Sequence, residues 1–173
     1  MSQAKKQVLL SAFANPEASP RPRRMIERVL ATGHEVSLFC LPPSSELGAS
    51  EVFPIHTKLS RWKLRRMCAA LIMGIGYPFN GKHYDLLIVE DLFLLPYCLK
   101  HAGSAPLILD AREFYPKQRE GDWVFDLLER PIRDWVCKTY LKACQKIFTV
   151  STGLSEAYQL HYGVSAEVLR STP

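Results

Sequence analysis

Short apolar runs separated by longer stretches of helical period recur along this whole chain, and that alternation narrows the available folds more than any single residue does. Strand-length runs fall at residues 7–14, 34–40, 51–56, 84–90, 106–110, 146–151 and 166–170. Between them lie helical periods. The first ends near Thr32, with Ile26, Val29 and Leu30 on one face and Gly33 at the stop position; others span residues 60–74, 92–101, 122–146 and 154–162. In the long 122–146 stretch, Val124, Leu128, Ile132, Val136 and Tyr140 recur at four-residue steps, and Pro131 is expected to kink or divide it. Strands that alternate with helices pair in parallel through right-handed crossovers. The expectation is therefore an α/β, Rossmann-like, doubly wound domain with a mostly parallel sheet of about seven strands. A length of 173 residues suits one such domain and is too short for two of full size.

Composition removes several other classes. With 47% hydrophobic and 23% charged residues the chain is not disordered, and 9 glycines exclude a collagen-like repeat. The net charge of +5 is concentrated in one place. Between Val52 and Tyr84 stand six basic residues (Lys58, Arg61, Lys63, Arg65, Arg66, Lys82) and no acid, while the remainder holds 16 basic against 17 acidic residues. The five cysteines form no C-x-x-C pair and sit mostly in apolar runs, which reads as buried free thiols in a reducing compartment rather than a zinc site. No secretory signal is legible at the start. The longest apolar stretch, residues 67–77, holds two glycines and falls short of the roughly 20 residues a spanning helix needs. These features point to a cytoplasmic protein, peripheral to a membrane at most.

In a doubly wound sheet, ligands bind at the carboxyl ends of the strands, near the point where strand order reverses. The loops of interest follow Ala14, Val89, Leu109 and Val150. The first contains no G-x-G-x-x-G, so the dinucleotide fingerprint is missing from its usual place. It carries Arg21, Arg23 and Arg24 at a helix start, where cations oppose the helix dipole by roughly 0.3–1 kcal/mol each and where a bound phosphate would reverse the sign. Two readings stand: an anion-binding cluster, or arginines that point into water and pair with surface acids. Glu90 and Asp91 end the fourth run, and Asp110, Arg112 and Glu113 follow the fifth. Neighbouring carboxylates can orient sugar hydroxyls or act as a general base; equally, Asp110 can cap its turn while Arg112 neutralises its neighbours. Ser151, Thr152 and Gly153 precede a helix, first of all as an N-cap, with room to hold a hydroxyl or phosphate. The segment with Arg61, Trp62, Lys63, Arg65 and Arg66 mixes cations with apolar side chains, as suits contact with an anionic membrane, where each cation contributes about 1 kcal/mol, or else an ordinary solvated helix face. Nothing else in the chain points to nucleic acid.

Five stretches, in this order and spacing, carry a resemblance: residues 19–36 (SPRPRRMIERVLATGHEV), 84–91 (YDLLIVED), 109–116 (LDAREFYP), 148–158 (FTVSTGLSEAY) and 162–173 (YGVSAEVLRSTP). Together they resemble the N-terminal half of a GT-B glycosyltransferase of the family four (group 1) type. The resemblance implies a retaining transfer of a sugar from a nucleotide-sugar donor to a glycan or lipid-linked acceptor, of the kind used in cell-surface polysaccharide synthesis. It implies acceptor binding by this half and donor binding by a C-terminal domain with a Glu-rich motif, with no cofactor and no metal. On that basis the chain is expected to fold alone but not to catalyse alone. Asp110, Arg112 and Glu113 become the catalytic candidates, and Arg21, Arg23, Arg24, Glu90, Asp91, Ser151, Thr152 and Gly153 the substrate-binding ones. The first loop reads Asn15-Pro-Glu-Ala-Ser where the family often has two glycines, and Arg112 stands where it often has histidine. A histidine contact to the donor sugar therefore does not carry over, and Arg112 is suited instead to a phosphate of a lipid-pyrophosphate acceptor. The rival expectation is a stand-alone, non-catalytic Rossmann-like module that binds a phosphorylated ligand or a membrane surface. A self-contained nucleotide-dependent enzyme is a third, opposed by the missing glycine-rich loop.

Overall fold

The computed structural model describes residues 4–42, 47–55 and 77–169. The basic segment with Arg61, Trp62, Lys63, Arg65 and Arg66, the helix expected over 60–74, and Cys68 lie outside the described residues. Seven strands form one sheet: β1 (Gln7–Ala12), β2 (Glu35–Cys40), β3 (Glu51–Pro54), β4 (Leu86–Val89), β5 (Leu107–Asp110), β6 (Lys146–Thr149) and β7 (Glu167–Val168). Their order is β3-β2-β1-β4-β5-β6-β7, and every neighbouring pair is parallel. The expected Rossmann-like fold is thus present. The order reverses between β1 and β4, which pair with Val8 opposite Leu86 and Ser11 opposite Val89.

The apolar runs reflect burial on both faces. Successive side chains of a strand point to opposite sides. On β1, Val8, Leu10 and Ala12 pack with Val36, Leu38, Cys40 and Ile88 under helix α1 (Pro20–Ala31), through its Ile26. Leu9, Leu87, Val89, Leu107 and Leu109 face the other way, into a larger core with α2 (Leu95–His101), α3 (Arg130–Tyr140) and α4 (Thr152–Tyr162). A fully buried leucine or valine contributes roughly 1.5–3 kcal/mol, so a strand covered on both sides cannot alternate with polar residues.

Local signals set the ends of the helices. Pro20 opens α1, where a missing N–H costs nothing. Gly33, at φ +80°, closes its turn by donating to the Leu30 carbonyl at 2.9 Å. Ser151 caps α4 by accepting from the Leu154 N–H at 3.3 Å. Pro131 divides the long helical stretch as expected, by a specific device. Residues Phe125–Glu129 form a π turn in which the Arg130 N–H reaches back to the Phe125 carbonyl. The wider turn moves aside the carbonyls that the proline ring would strike. The four-residue row Val124, Leu128, Ile132, Val136, Tyr140 is not one buried face: Val136 is buried, while Val124 and Leu128 are exposed. The inward positions in that part of the chain belong to Phe125, Glu129 and Arg133.

The four described cysteines are free thiols, with Cys40, Cys98 and Cys137 buried and Cys144 partly so. Burial pushes Cys98, Cys137 and Cys144 up to about 12, which keeps them protonated and unreactive at neutral pH. Among the described residues no helix is long and apolar enough to cross a membrane.

Candidate functional site

Because the paired strands β1 and β4 lead on to opposite sides of the sheet at the strand-order reversal, the loops leaving their carboxyl ends diverge and open a crevice. A pocket of about 240 Å³ fills it. Phe13 comes from the loop after β1; Glu90, Asp91 and Phe93 follow β4; Arg112, Glu113, Tyr115 and Gln118 follow β5; and Arg133 reaches in from α3.

Glu90 is the most unusual group. It is 1% exposed, and neither carboxylate oxygen has a hydrogen-bond partner. Arg112, itself one-third exposed, lies against it: one guanidinium nitrogen donates to the Glu90 carbonyl at 3.2 Å and stands 3.8 Å from the carboxylate. Burial pushes the Glu90 carboxyl up to about 7, against the pull of Arg112 and with a further push from Asp110. Near neutral pH this carboxyl is therefore divided between its protonated and ionised forms. Asp91 is also raised, by burial, although its oxygen accepts the Phe93 N–H at 2.8 Å.

Asp110 ends β5 with no exposed side-chain surface and receives a two-pronged hydrogen bond from Nε and Nη2 of Arg21, at the start of α1. That bond is the first cause of the raised Arg21 pKa. The fork ties α1 to the centre of the sheet just behind the pocket. The loop after β5 is fixed from the other side by Tyr158, whose hydroxyl donates to the Glu113 carbonyl at 2.7 Å.

Arg133 forms the far wall. It donates to Gln118 at 2.6 Å and to Glu129 at 3.0 Å, with its guanidinium 4.7 Å from the Phe93 ring centre and 5.3 Å from that of Phe125. A cation held between two rings and a carboxylate is rigid, and it sets the position of Phe93 in the pocket.

The structure thus brings Glu90, Asp91, Arg112 and Glu113 together, with Asp110 and Arg21 immediately behind. It does not bring the other candidates to the pocket lining. Arg23 pairs with Glu27 on the same helix at 3.0 Å, Arg24 is half-buried on α1, and Ser151, Thr152 and Gly153 form the first turn of α4. Five lining residues were not singled out from the sequence: Phe13, Phe93, Tyr115, Gln118 and Arg133. Phe13 carries a usable signal, an aromatic placed directly after the first strand. Glu129 and Arg133, four apart on a helix, read as an ordinary solvated pair. Among the described residues no cluster of three or more His, Cys, Asp or Glu side chains is arranged to hold a metal ion.

No known protein family matches this sequence, and no curated protein resembles it closely enough to count as a relative. Solved structures do resemble the fold. One is the glycotransferase of kitacinnamycin, with TM-score 0.52 and 14% identity, covering 86% of this chain and 46% of that one. Another is a putative UDP-N-acetylglucosamine 2-epimerase from Listeria monocytogenes, with TM-score 0.56 and 12% identity, covering 91% of this chain and 43% of that one. Both have the GT-B fold, and this chain spans less than half the length of either. At such identities the likeness concerns the fold: a parallel, Rossmann-like sheet with flanking helices.

Proposed function

We propose that this chain is the acceptor-binding half of a GT-B glycosyltransferase, of the retaining group 1 type, which moves a sugar from a nucleotide-sugar to a glycan or lipid-linked acceptor. The observation that supports it most is the composition of the pocket at the strand-order reversal. Carboxylates of Glu90, Asp91 and Glu113 meet the aromatic rings of Phe13, Phe93 and Tyr115 there. Rings provide the flat apolar surface on which a pyranose lies, and carboxylates accept from its hydroxyls. The names of the two similar structures, both concerned with sugars, agree with this.

In this reading Asp91, Glu113 and Gln118 orient acceptor hydroxyls. Arg112, exposed on one side and held by Glu90 on the other, receives a phosphate of the acceptor. Asp110 and Arg21 brace the loops that carry these groups. The donor nucleotide belongs to the facing half of such a fold, so the chain alone binds acceptor and transfers nothing. The basic segment with Arg61, Trp62, Lys63, Arg65 and Arg66 would hold the enzyme at the cytoplasmic face of an anionic membrane, where lipid-linked acceptors reside.

The test is ligand-observed NMR on this chain with three probes: N-acetylglucosamine, geranyl pyrophosphate and UDP. Saturation transfer to the sugar and the pyrophosphate is expected, with little to UDP. Arg112→Ala should weaken the pyrophosphate at least about tenfold, the loss of one charge-assisted contact, and leave the sugar nearly unchanged. An unchanged pyrophosphate affinity would remove the phosphate role. Tight UDP binding without sugar binding would replace the whole reading with a nucleotide-dependent enzyme.

A further inference from the structure

Four charged side chains act on one another at the inner end of the pocket: Arg21 from α1, Glu90 after β4, and Asp110 and Arg112 at the end of β5. Two of them are closely matched, since the Arg21 guanidinium grips both oxygens of Asp110. The other two are loosely matched. Arg112 donates to the Glu90 backbone carbonyl at 3.2 Å, but its nitrogen stays 3.8 Å from the carboxylate, beyond hydrogen-bond reach. Among the described residues neither oxygen of that carboxylate has a hydrogen-bond partner, and its burial keeps counter-ions in solution away from it. An ionised carboxylate so placed is costly, and a protonated one much less so.

The balance of charge decides what the pocket accepts. With Glu90 ionised, two guanidiniums meet two carboxylates, and an incoming phosphate finds the charge of Arg112 already matched. With Glu90 protonated the cluster carries one net positive charge, on the side chain that solvent reaches. The hydrogen bond that holds Arg112 goes to the backbone carbonyl, so protonation changes the charge and leaves that anchor in place. Burial raises Glu90 to about 7, against the pull of Arg112 and Arg21 and with a further push from Asp110, so the added push of a bound anion falls where the proton is already finely balanced. The other charges of the pocket, Arg133 and Glu113, bear on Asp91, which accepts the Phe93 N–H, and Tyr115 is kept neutral by its burial.

We propose that this pocket takes up an anion and a proton together: the phosphate that settles on Arg112 is bound with protonation of Glu90. The inference rests on the phosphate role given to Arg112 above. Linkage is reciprocal, so the bound phosphate makes Glu90 hold its proton more tightly, and the proton makes the pocket hold phosphate more tightly. Affinity is full while free Glu90 is protonated, and above pH 7 it falls by up to about tenfold for each pH unit, until the carboxyl ionises in the complex as well.

Titration calorimetry with geranyl pyrophosphate reads the proton directly, because the heat depends on the buffer that supplies it. At pH 7.5, in HEPES and in Tris, the parent should take up about half a proton more than Glu90→Gln; the pyrophosphate's own protonation cancels in that difference. Glu90→Gln should bind at least about threefold more tightly than the parent at pH 8, and about equally at pH 6. Equal proton counts, with an affinity ratio that does not change with pH, would overturn the link while leaving the phosphate role of Arg112 intact. No binding by the parent at either pH would remove that role, and the link with it. Weaker binding by Glu90→Gln at both values would show that the ionised carboxylate supports the phosphate, and the proposal falls. If Glu90→Gln does not fold, the parent with carbon-13-labelled glutamate answers alone. Its highest-titrating carboxyl should move up by at least about half a pH unit when pyrophosphate is added, and a midpoint that stays still overturns the proposal.

Discussion

Arg21→Ala is expected to lower the free energy of unfolding by about 3–5 kcal/mol, the loss typical when one partner of a buried ion pair is removed. Asp110 has no exposed side-chain surface and Arg21 only 12%, so water cannot take over the missing hydrogen bonds. Chemical denaturation should show a lower midpoint with the slope unchanged. Replacing both partners, Arg21→Met with Asp110→Leu, should recover much of the loss, because no charge is then left buried alone. The comparison also bears on function. If the single substitution costs little stability but abolishes pyrophosphate binding, Arg21 serves the ligand rather than the scaffold, and the role of an internal brace must be given up.

Glu90→Gln is expected to change how stability depends on pH. In the unfolded chain a glutamate titrates near 4.5; in the fold burial raises Glu90 to about 7. The folded state therefore holds this proton more tightly. Below the unfolded value both states are protonated and nothing is lost. As pH rises from about 4.5 to about 7 the unfolded state ionises first, and stability falls. Above 7 the full penalty, about 3 kcal/mol at 1.36 kcal/mol per unit, has accrued. Gln cannot ionise and escapes it. The difference between variant and parent should grow in the variant's favour across that window, whatever constant offset the amide introduces. Urea midpoints at pH 5 and pH 8 suffice to see it. Curves that stay parallel between those values would show that Glu90 does not titrate there, and its part in proton exchange near neutral pH would go with it.

The strands of the sheet could be read from the chain because both faces of every central strand are covered. Leu9 and Val8 point opposite ways, yet each meets a core, so the run stays apolar and stands out. Gly33 and Ser151 likewise mark helix ends by chemistry that is local to them. The pocket was half legible. Glu90, Asp91, Arg112 and Glu113 follow directly from the rule that loops at the carboxyl ends of strands carry function. The fork between Arg21 and Asp110 joins residues 89 positions apart, and no pattern of spacing announces it. Arg133 was hidden for another reason. A charged pair four apart on a helix ordinarily faces water and its apolar neighbours the core; here Glu129 and Arg133 are buried while Val124, Leu127 and Leu128 are exposed.

The reversal of strand order has a consequence for how occupancy of the crevice is felt. Gln7 and Asp85, 78 positions apart, meet at the seam where β1 joins β4. Closing a loop of that size costs about 4 kcal/mol of chain entropy, the largest closure cost of any joint in this sheet. The crevice straddles that seam and exists only while it is shut. A molecule lodged there acts as a clasp across that long-range joint, and it resists unfolding of the whole domain rather than the fraying of one loop.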